Sequence, residues 1–175
     1  CVLMMTFCGF MRFLAVLSTC MYPDVADSYP MKEEDVHLGP PANANFSYAY
    51  TKRCIAVQID AYRKQHGLEY NYIIPCNLYG ENDNYHLENS HVLPAIIRKI
   101  HLAKLLEDED WEAINDDLKA NPLSDLESGD TSDKILKVLN NFGIQFDVNL
   151  KKSTVKLWGT GKAMREFLYV DDMAA

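Results

Sequence analysis

Tyr48 and Lys52, in the stretch Ser47-Tyr48-Ala49-Tyr50-Thr51-Lys52, stand four residues apart. On a helix that spacing puts both side chains on one face. An ammonium beside a phenol favours the phenolate and lowers the pKa of a tyrosine from about 10. Such a hydroxyl can give a proton to an oxygen as hydride arrives, or take one as hydride leaves. The spacing alone is a weak signal, because ten tyrosines and twelve lysines in 175 residues give about 0.7 such pairs by chance. Ser18 strengthens it. It follows a short apolar run thirty residues before Tyr48, and in a parallel sheet both residues could lie at one edge. A serine hydroxyl there could hydrogen-bond the same oxygen that the tyrosine protonates.

Those residues need elements to hold them. Arg12-Phe13-Leu14-Ala15-Val16-Leu17 reads as a buried strand of a parallel sheet, with Ser18-Thr19-Cys20 as the loop at its carboxyl end. Residues 23–45 are rich in Pro, Asp and Asn and read as a long surface loop, where α/β proteins place ligand sites. A helix is expected from Tyr48 to about Gln65, with Ser47 as its N-cap, Gly67 closing it, and Ile55, Ile59 and Tyr62 facing inward. Tyr70 to Cys76 is the next strand, which makes half of a βαβ unit. Asn77 to His91 reads as a second irregular loop. Leu93 to Leu106 reads as a helix with Pro94 in its first turn and Ile96, Ile97, Ile100 and Leu105 on the buried side. Further on, Thr154–Trp158 and Glu166–Val170 read as strands, and Asp171-Asp172 begins a helix.

Composition narrows the class. The balance of 48% hydrophobic and 24% charged residues is that of a soluble globular domain. A net charge of -8 argues against nucleic acid as the main partner. Residues 107–130 hold ten acids against Lys119, so the rest of the chain is close to neutral. The stretch 107–150 is expected to be an acidic insertion with small helices near Trp111–Leu118 and Asp133–Asn140, solvated at the surface and without assignable chemistry. Cys1, Cys8, Cys20, Cys54 and Cys76 are odd in number, with no CxxC and no metal-like pairing with histidine, which fits reduced thiols in a cytoplasmic protein. Residues 1–22 are apolar, but Arg12 would sit mid-span and no basic segment precedes them, so neither a membrane helix nor a signal peptide is expected. Residues 1–10 are expected to lie outside any stable element.

Seven blocks occur in order: Ser18-Thr19-Cys20-Met21-Tyr22-Pro23, Tyr48-Ala49-Tyr50-Thr51-Lys52, Pro75-Cys76-Asn77-Leu78-Tyr79-Gly80, Asp83-Asn84, Asn89-Ser90-His91-Val92-Leu93-Pro94-Ala95, Trp158-Gly159-Thr160-Gly161 and Met164-Arg165-Glu166-Phe167. Together they resemble the GDP-L-fucose synthase family, the 3,5-epimerase/4-reductases of the extended short-chain dehydrogenase/reductase superfamily. The resemblance runs over nearly all of residues 12–175. It implies an α/β fold: the C-terminal part of a Rossmann-type doubly wound parallel sheet, plus part of a smaller substrate-binding domain. It implies a partial NADP-binding domain over 1–90 and a partial substrate domain over 91–175.

The resemblance also implies roles. Ser18, Tyr48 and Lys52 match the reductase triad, with Tyr48 protonating the C4 oxygen. Cys20 and His91 match the epimerisation pair. Inversion beside a ketone needs a base on one face and an acid on the other, and Cys and His are residue types with suitable pKa values. Val16, Leu17, Ser18, Thr19, Lys52, Pro75, Cys76, Asn77, Leu78 and His91 would line the NADP(H) site. Lys99, Trp158 and Arg165 would contact the GDP-sugar. The parent is expected to be a cytoplasmic homodimer without membrane or nucleic-acid partners.

Three departures qualify the resemblance. Leu17 stands where the family usually has Gly. Lys99 stands where Arg is more usual, which keeps the charge but loses the bidentate fork. A Gly-rich dinucleotide loop is missing, since Gly159-x-Gly161 lacks a third glycine and runs into a strand. The chain is therefore read as a fragment, with the pyrophosphate-binding half expected upstream of Cys1. Two other readings remain open: another nucleotide-sugar epimerase or dehydratase, and a non-catalytic truncated chain.

Overall fold

The computed structural model describes Gly9, residues 11–126 and residues 130–175. The expectation for residues 1–10 lies outside the described residues except at Gly9. The chain divides into two compact units: residues 1–78 with 166–175, and residues 79–165.

In the first unit β1 (Arg12–Val16) and β2 (Glu69–Ile73) pair in parallel, with Val16 opposite Ile73. The α/β reading holds, because a parallel pair needs a long crossover and α1 (Phe46–His66) supplies it. Alternation decides the faces of the pair. Phe13, Ala15 and Leu17 pack with Tyr70 and Tyr72, and with Ala56 and Ile59 of α1, in one core. Leu14 and Val16 point the other way and are 57% and 51% exposed. α1 starts at Phe46, so the Ser47 cap expectation fails: Ser47 lies inside the helix and its carbonyl accepts from Thr51 Oγ1 at 2.8 Å. Gly67 ends α1 as expected, with φ +63° and its N–H donating to Arg63 O. The loop after β2 is less irregular than expected, since β3 (Asn77–Tyr79) pairs with β6 (Phe167–Tyr169). The short α5 (Val170–Ala174) follows, with Asp171 and Asp172 in its first turn.

The second unit is built on α2 (Val92–Glu107). α3 (Trp111–Ala120) and α4 (Ser132–Asn141) follow it, then an antiparallel hairpin of β4 (Ile144–Asp147) and β5 (Lys152–Val155). Capping fixes both helix starts: Asp110 accepts from Ala113 N and Thr131 from Lys134 N. The insertion is not a solvated excursion. Ile114, Leu123, Ile135, Val138, Leu139 and Ile144 form one buried core with Leu87, Leu102, Ala103 and Leu106. Most of its described acids are exposed, which is why its charge hid its apolar positions; Asp117, turned to the buried Arg98, is an exception.

Two details lock the hairpin. Gly143 has φ +83°, and a Cβ there would meet Lys156 O at 2.6 Å, so only glycine fits. Ser153 N donates to Glu107 Oε1 and Ser153 Oγ to Ala103 O, both at 2.8 Å, which fastens β5 to α2. This core also turns α2. Ile97 and Ile100, expected inside, are exposed, while Arg98 and Lys99 are buried.

Candidate functional site

In the first unit the site is assembled around α1. Lys52 Nζ donates to Val16 O at 2.8 Å and lies 5.5 Å from the centre of the Tyr48 ring. One helix face thus presents the phenol and ammonium together, while the ammonium is anchored to the carboxyl end of β1. Tyr48 is 49% exposed, so its hydroxyl can be approached. Next to Val16, Leu17 is buried and its N–H continues the ladder to Ile73 O at 2.8 Å. Ser18 then caps a single 3-10 turn, Thr19–Met21, and accepts from Cys20 N at 3.2 Å. The Cys20 sulfur accepts from Asn45 Nδ2 at 3.6 Å.

Tyr22, two residues on, has its pKa pushed up, first by burial and then by Glu33, Asp35 and Glu34. It remains a neutral hydroxyl beside the turn. Pro75, Cys76, Asn77 and Leu78 lie in the same unit, and Asn77 Nδ2 donates to Glu166 O at 2.9 Å.

Sequence reasoning missed Arg53. It is buried, donates from Nε to Met21 O at 2.7 Å and from Nη2 to Gly39 O at 2.8 Å, and stacks 5.2 Å from the Tyr50 ring. It ties the long 23–45 loop and the Cys20 turn to α1. A signal existed: Ala49 and Ala56 flank Arg53 on one helix face, and their small side chains leave room for a long one. Asn45 was also missed, because a loop asparagine gives no periodic signal.

His91, Lys99, Trp158 and Arg165 belong to the second unit. His91 is exposed and occupies the N-cap position of α2, with its carbonyl accepting from Ala95 N at 3.1 Å. Lys99 is 5% exposed, and its ammonium lies 4.3 Å from the Trp158 ring centre. Burial pushes its pKa down. Among the described residues it has no ion-pair or hydrogen-bond partner, so a buried cation faces an indole that is itself 70% exposed. Arg165 is exposed and its Nη1 donates to Met164 O at 2.7 Å. Gly159 and Gly161 have φ of +89° and +70°, but no helix follows them before β6, as a dinucleotide loop would require.

Residues 2–120 match the family described as NAD dependent epimerase/dehydratase family. The chain belongs to that family. Within this epimerase/dehydratase family, curated relatives include a probable GDP-L-fucose synthase of Drosophila melanogaster, 46% identical over 93 residues, which are 53% of this chain and 29% of that protein. A probable GDP-L-fucose synthase 1 of rice (Oryza sativa) is 36% identical over 168 residues, covering 95% of this chain and 38% of that protein. Among solved structures, a GDP-D-glycero-L-gluco-heptose synthase from Campylobacter jejuni, crystallised in the presence of NADPH, matches with TM-score 0.82 and 34% identity. The match covers 97% of this chain and 45% of that one. A GDP-mannoheptose C4 reductase of the same organism, with NADP bound, matches with TM-score 0.80 and 33% identity, over 99% of this chain and 47% of that one. The chain therefore spans less than half the length of these relatives. The recognition from motif blocks and the Rossmann-type α/β reading agree with these family members. Among the described residues no helix is long and apolar enough to cross a membrane.

Proposed function

We propose that the whole protein to which this chain belongs converts GDP-4-dehydro-6-deoxy-D-mannose to GDP-L-fucose by 3,5-epimerisation and NADPH-dependent 4-reduction. The observation that carries the reading is Lys52, whose ammonium is held by Val16 O while sharing a helix face with the Tyr48 ring. NADPH, when bound, supplies hydride to C4. The residues present suit its nicotinamide end: an anchored ammonium, the Ser18 hydroxyl and the Pro75–Leu78 backbone all belong to one unit. Among the described residues no Gly-rich strand–turn–helix offers a seat for its pyrophosphate.

Tyr48 gives its hydroxyl proton to the C4 oxygen, and Lys52 stabilises the phenolate left behind. Ser18 hydrogen-bonds that oxygen and orients it. Cys20 and His91 remove and return the protons at C3 and C5, whose acidity comes from the C4 ketone. The Lys99 charge with the Trp158 face, joined by Arg165, suits a nucleoside diphosphate. The division into an NADP-binding part over 1–90 and a substrate part over 91–175 belongs to this reading, as do a cytoplasmic location and a homodimer. The dimer is supported by Phe46, Tyr50 and Val57, which leave an exposed apolar stripe on α1.

The test uses the full-length protein in D2O with substrate and no NADPH. The expected result is deuterium at C3 and C5, lost in Cys20→Ala and His91→Ala. Incorporation that persists in both variants would overturn the acid/base roles. The Campylobacter GDP-mannoheptose C4 reductase supports a second reading, reduction at C4 of a GDP-keto-heptose without epimerisation. NADPH oxidation with that substrate, and no deuterium uptake from either one, would favour it.

A further inference from the structure

Arg98 is 2% exposed, and each of its three guanidinium nitrogens donates a hydrogen bond. Nε and Nη2 donate to Asp117 Oδ1 at 3.0 and 2.9 Å, and Nη2 also reaches Asn121 O at 2.6 Å. Both acceptors belong to the 107–150 insertion, Asp117 within α3 and Asn121 at its C-cap. The remaining arm, Nη1, donates to Tyr85 O at 3.2 Å, in the loop that leads to His91. A buried cation thus joins the insertion to the loop with a two-point carboxylate grip on one side and a carbonyl on the other.

Two more contacts join the same parts. Ser124 Oγ donates to the Glu88 carboxylate, 2.7 Å from Oε1 and 2.9 Å from Oε2. Leu87 shares the core of Ile114 and Leu123. The loop itself is folded tightly between these anchors. Tyr85 Oη donates to Gly80 O at 2.9 Å and Asn84 Nδ2 to Asn89 Oδ1 at 2.9 Å. Asn89 N and Ser90 N both donate to His86 O. The loop is thus held at 85, 87 and 88, and through the Asn89 and Ser90 N–H groups up to the residue before His91.

We infer that the insertion braces the loop delivering His91, with Asp117 acting through Arg98 and Ser124 through Glu88 as positioning residues. This rests on the acid/base reading of His91. It gives the acidic segment a role that its composition concealed: Asp117 reaches the loop through the buried Arg98, and Ser124 meets Glu88 of the loop at the surface.

The test uses the 175-residue chain, labelled for NMR, as Ser124→Ala, Ser124→Thr and Asp117→Asn. Loss of one charge-assisted hydrogen bond is worth about a tenfold change in a local opening equilibrium. Amide exchange at Asn89, Ser90 and Ala95 is expected to rise about tenfold in Ser124→Ala and more in Asp117→Asn, while Lys156, in the hairpin, is unchanged. The His91 ring resonance is expected to broaden in Ser124→Ala and to recover in Ser124→Thr. Unchanged loop amides in Ser124→Ala, or loop and hairpin amides accelerating together, would overturn the brace. If Asp117→Asn does not fold, Ser124→Ala decides alone. Deuterium incorporation surviving His91→Ala in the full-length protein would remove the acid/base role and leave these exchange results standing.

Discussion

The two units solve the problem of burial differently. Among the described residues the second closes its core within itself, with ten buried positions contributed by three helices, the hairpin strand β4, the loop at Leu87 and Leu123 after α3. Among the described residues the first has seven, gathered on one side of a two-stranded parallel sheet on whose other side Leu14 and Val16 are exposed. Parallel sheets are normally covered on both faces. The unit that carries Tyr48 and Lys52 is therefore the thinner one, and the unit that carries Lys99 and Trp158 is the self-contained one. The ammonium is anchored and the turn capped in a unit where one sheet face leaves Leu14 and Val16 exposed.

The contrast can be broken most sharply at Asp117. Asp117→Ala strands the Arg98 guanidinium inside the second unit, and removing one partner of a buried pair costs about 4 kcal/mol. Both tryptophans, Trp111 and Trp158, lie in that unit, so urea unfolding followed by tryptophan fluorescence reads it alone. The transition is expected to collapse to low urea while tyrosine signals from the first unit stay in place. Simultaneous loss of both signals would mean that the units do not unfold independently.

Leu139→Ala comes next. Leu139 is fully buried in the self-contained core, and the truncation is expected to cost about 3 kcal/mol by the same fluorescence measurement. Leu14→Thr should cost no more than about 0.5 kcal/mol in far-UV urea melts, because Leu14 already faces water, and it should reduce self-association in sedimentation. A loss of several kcal/mol would show that the bare sheet face is covered in solution.

The smallest effect concerns Lys99. Its folded pKa lies below the unfolded value because burial disfavours the charge. Between the folded and unfolded pKa values the unfolded chain binds more protons, so the stability of the second unit should rise with pH through that alkaline window. Lys99→Met should abolish the rise. Fluorescence-detected melts that climb equally in both proteins would contradict this account.

Much of this was legible beforehand. The strand before Ser18, the helix of Tyr48 and Lys52 and the αL glycine at position 67 follow from periodicity and local stereochemistry. So do the two helices of the insertion. The failures share one cause. Hydrophobicity puts Ile97 and Ile100 on the buried face, but α2 is rotated by what packs on it, and Arg98 and Lys99 are buried in their place. Arg98 can be buried only because Asp117, nineteen residues on, and Tyr85, thirteen residues back, satisfy its donors. β4 was missed because Ile144-Gln145-Phe146-Asp147 is too short to stand out, and it exists as half of a hairpin closed by Gly143 and Lys156.

The sequence by itself determined which residue types stand at chemically useful spacings, and through its ordered blocks the family to which they belong. Those are local properties, set by side-chain chemistry and by the helical and strand repeats. Only the tertiary structure decided that Lys52 anchors to Val16 O, that Arg53 holds the Cys20 turn, and that an acidic insertion turns its isoleucines and leucines into a core. Each depends on contacts between residues far apart in the chain, where burial and the need to satisfy every buried donor outweigh local preference.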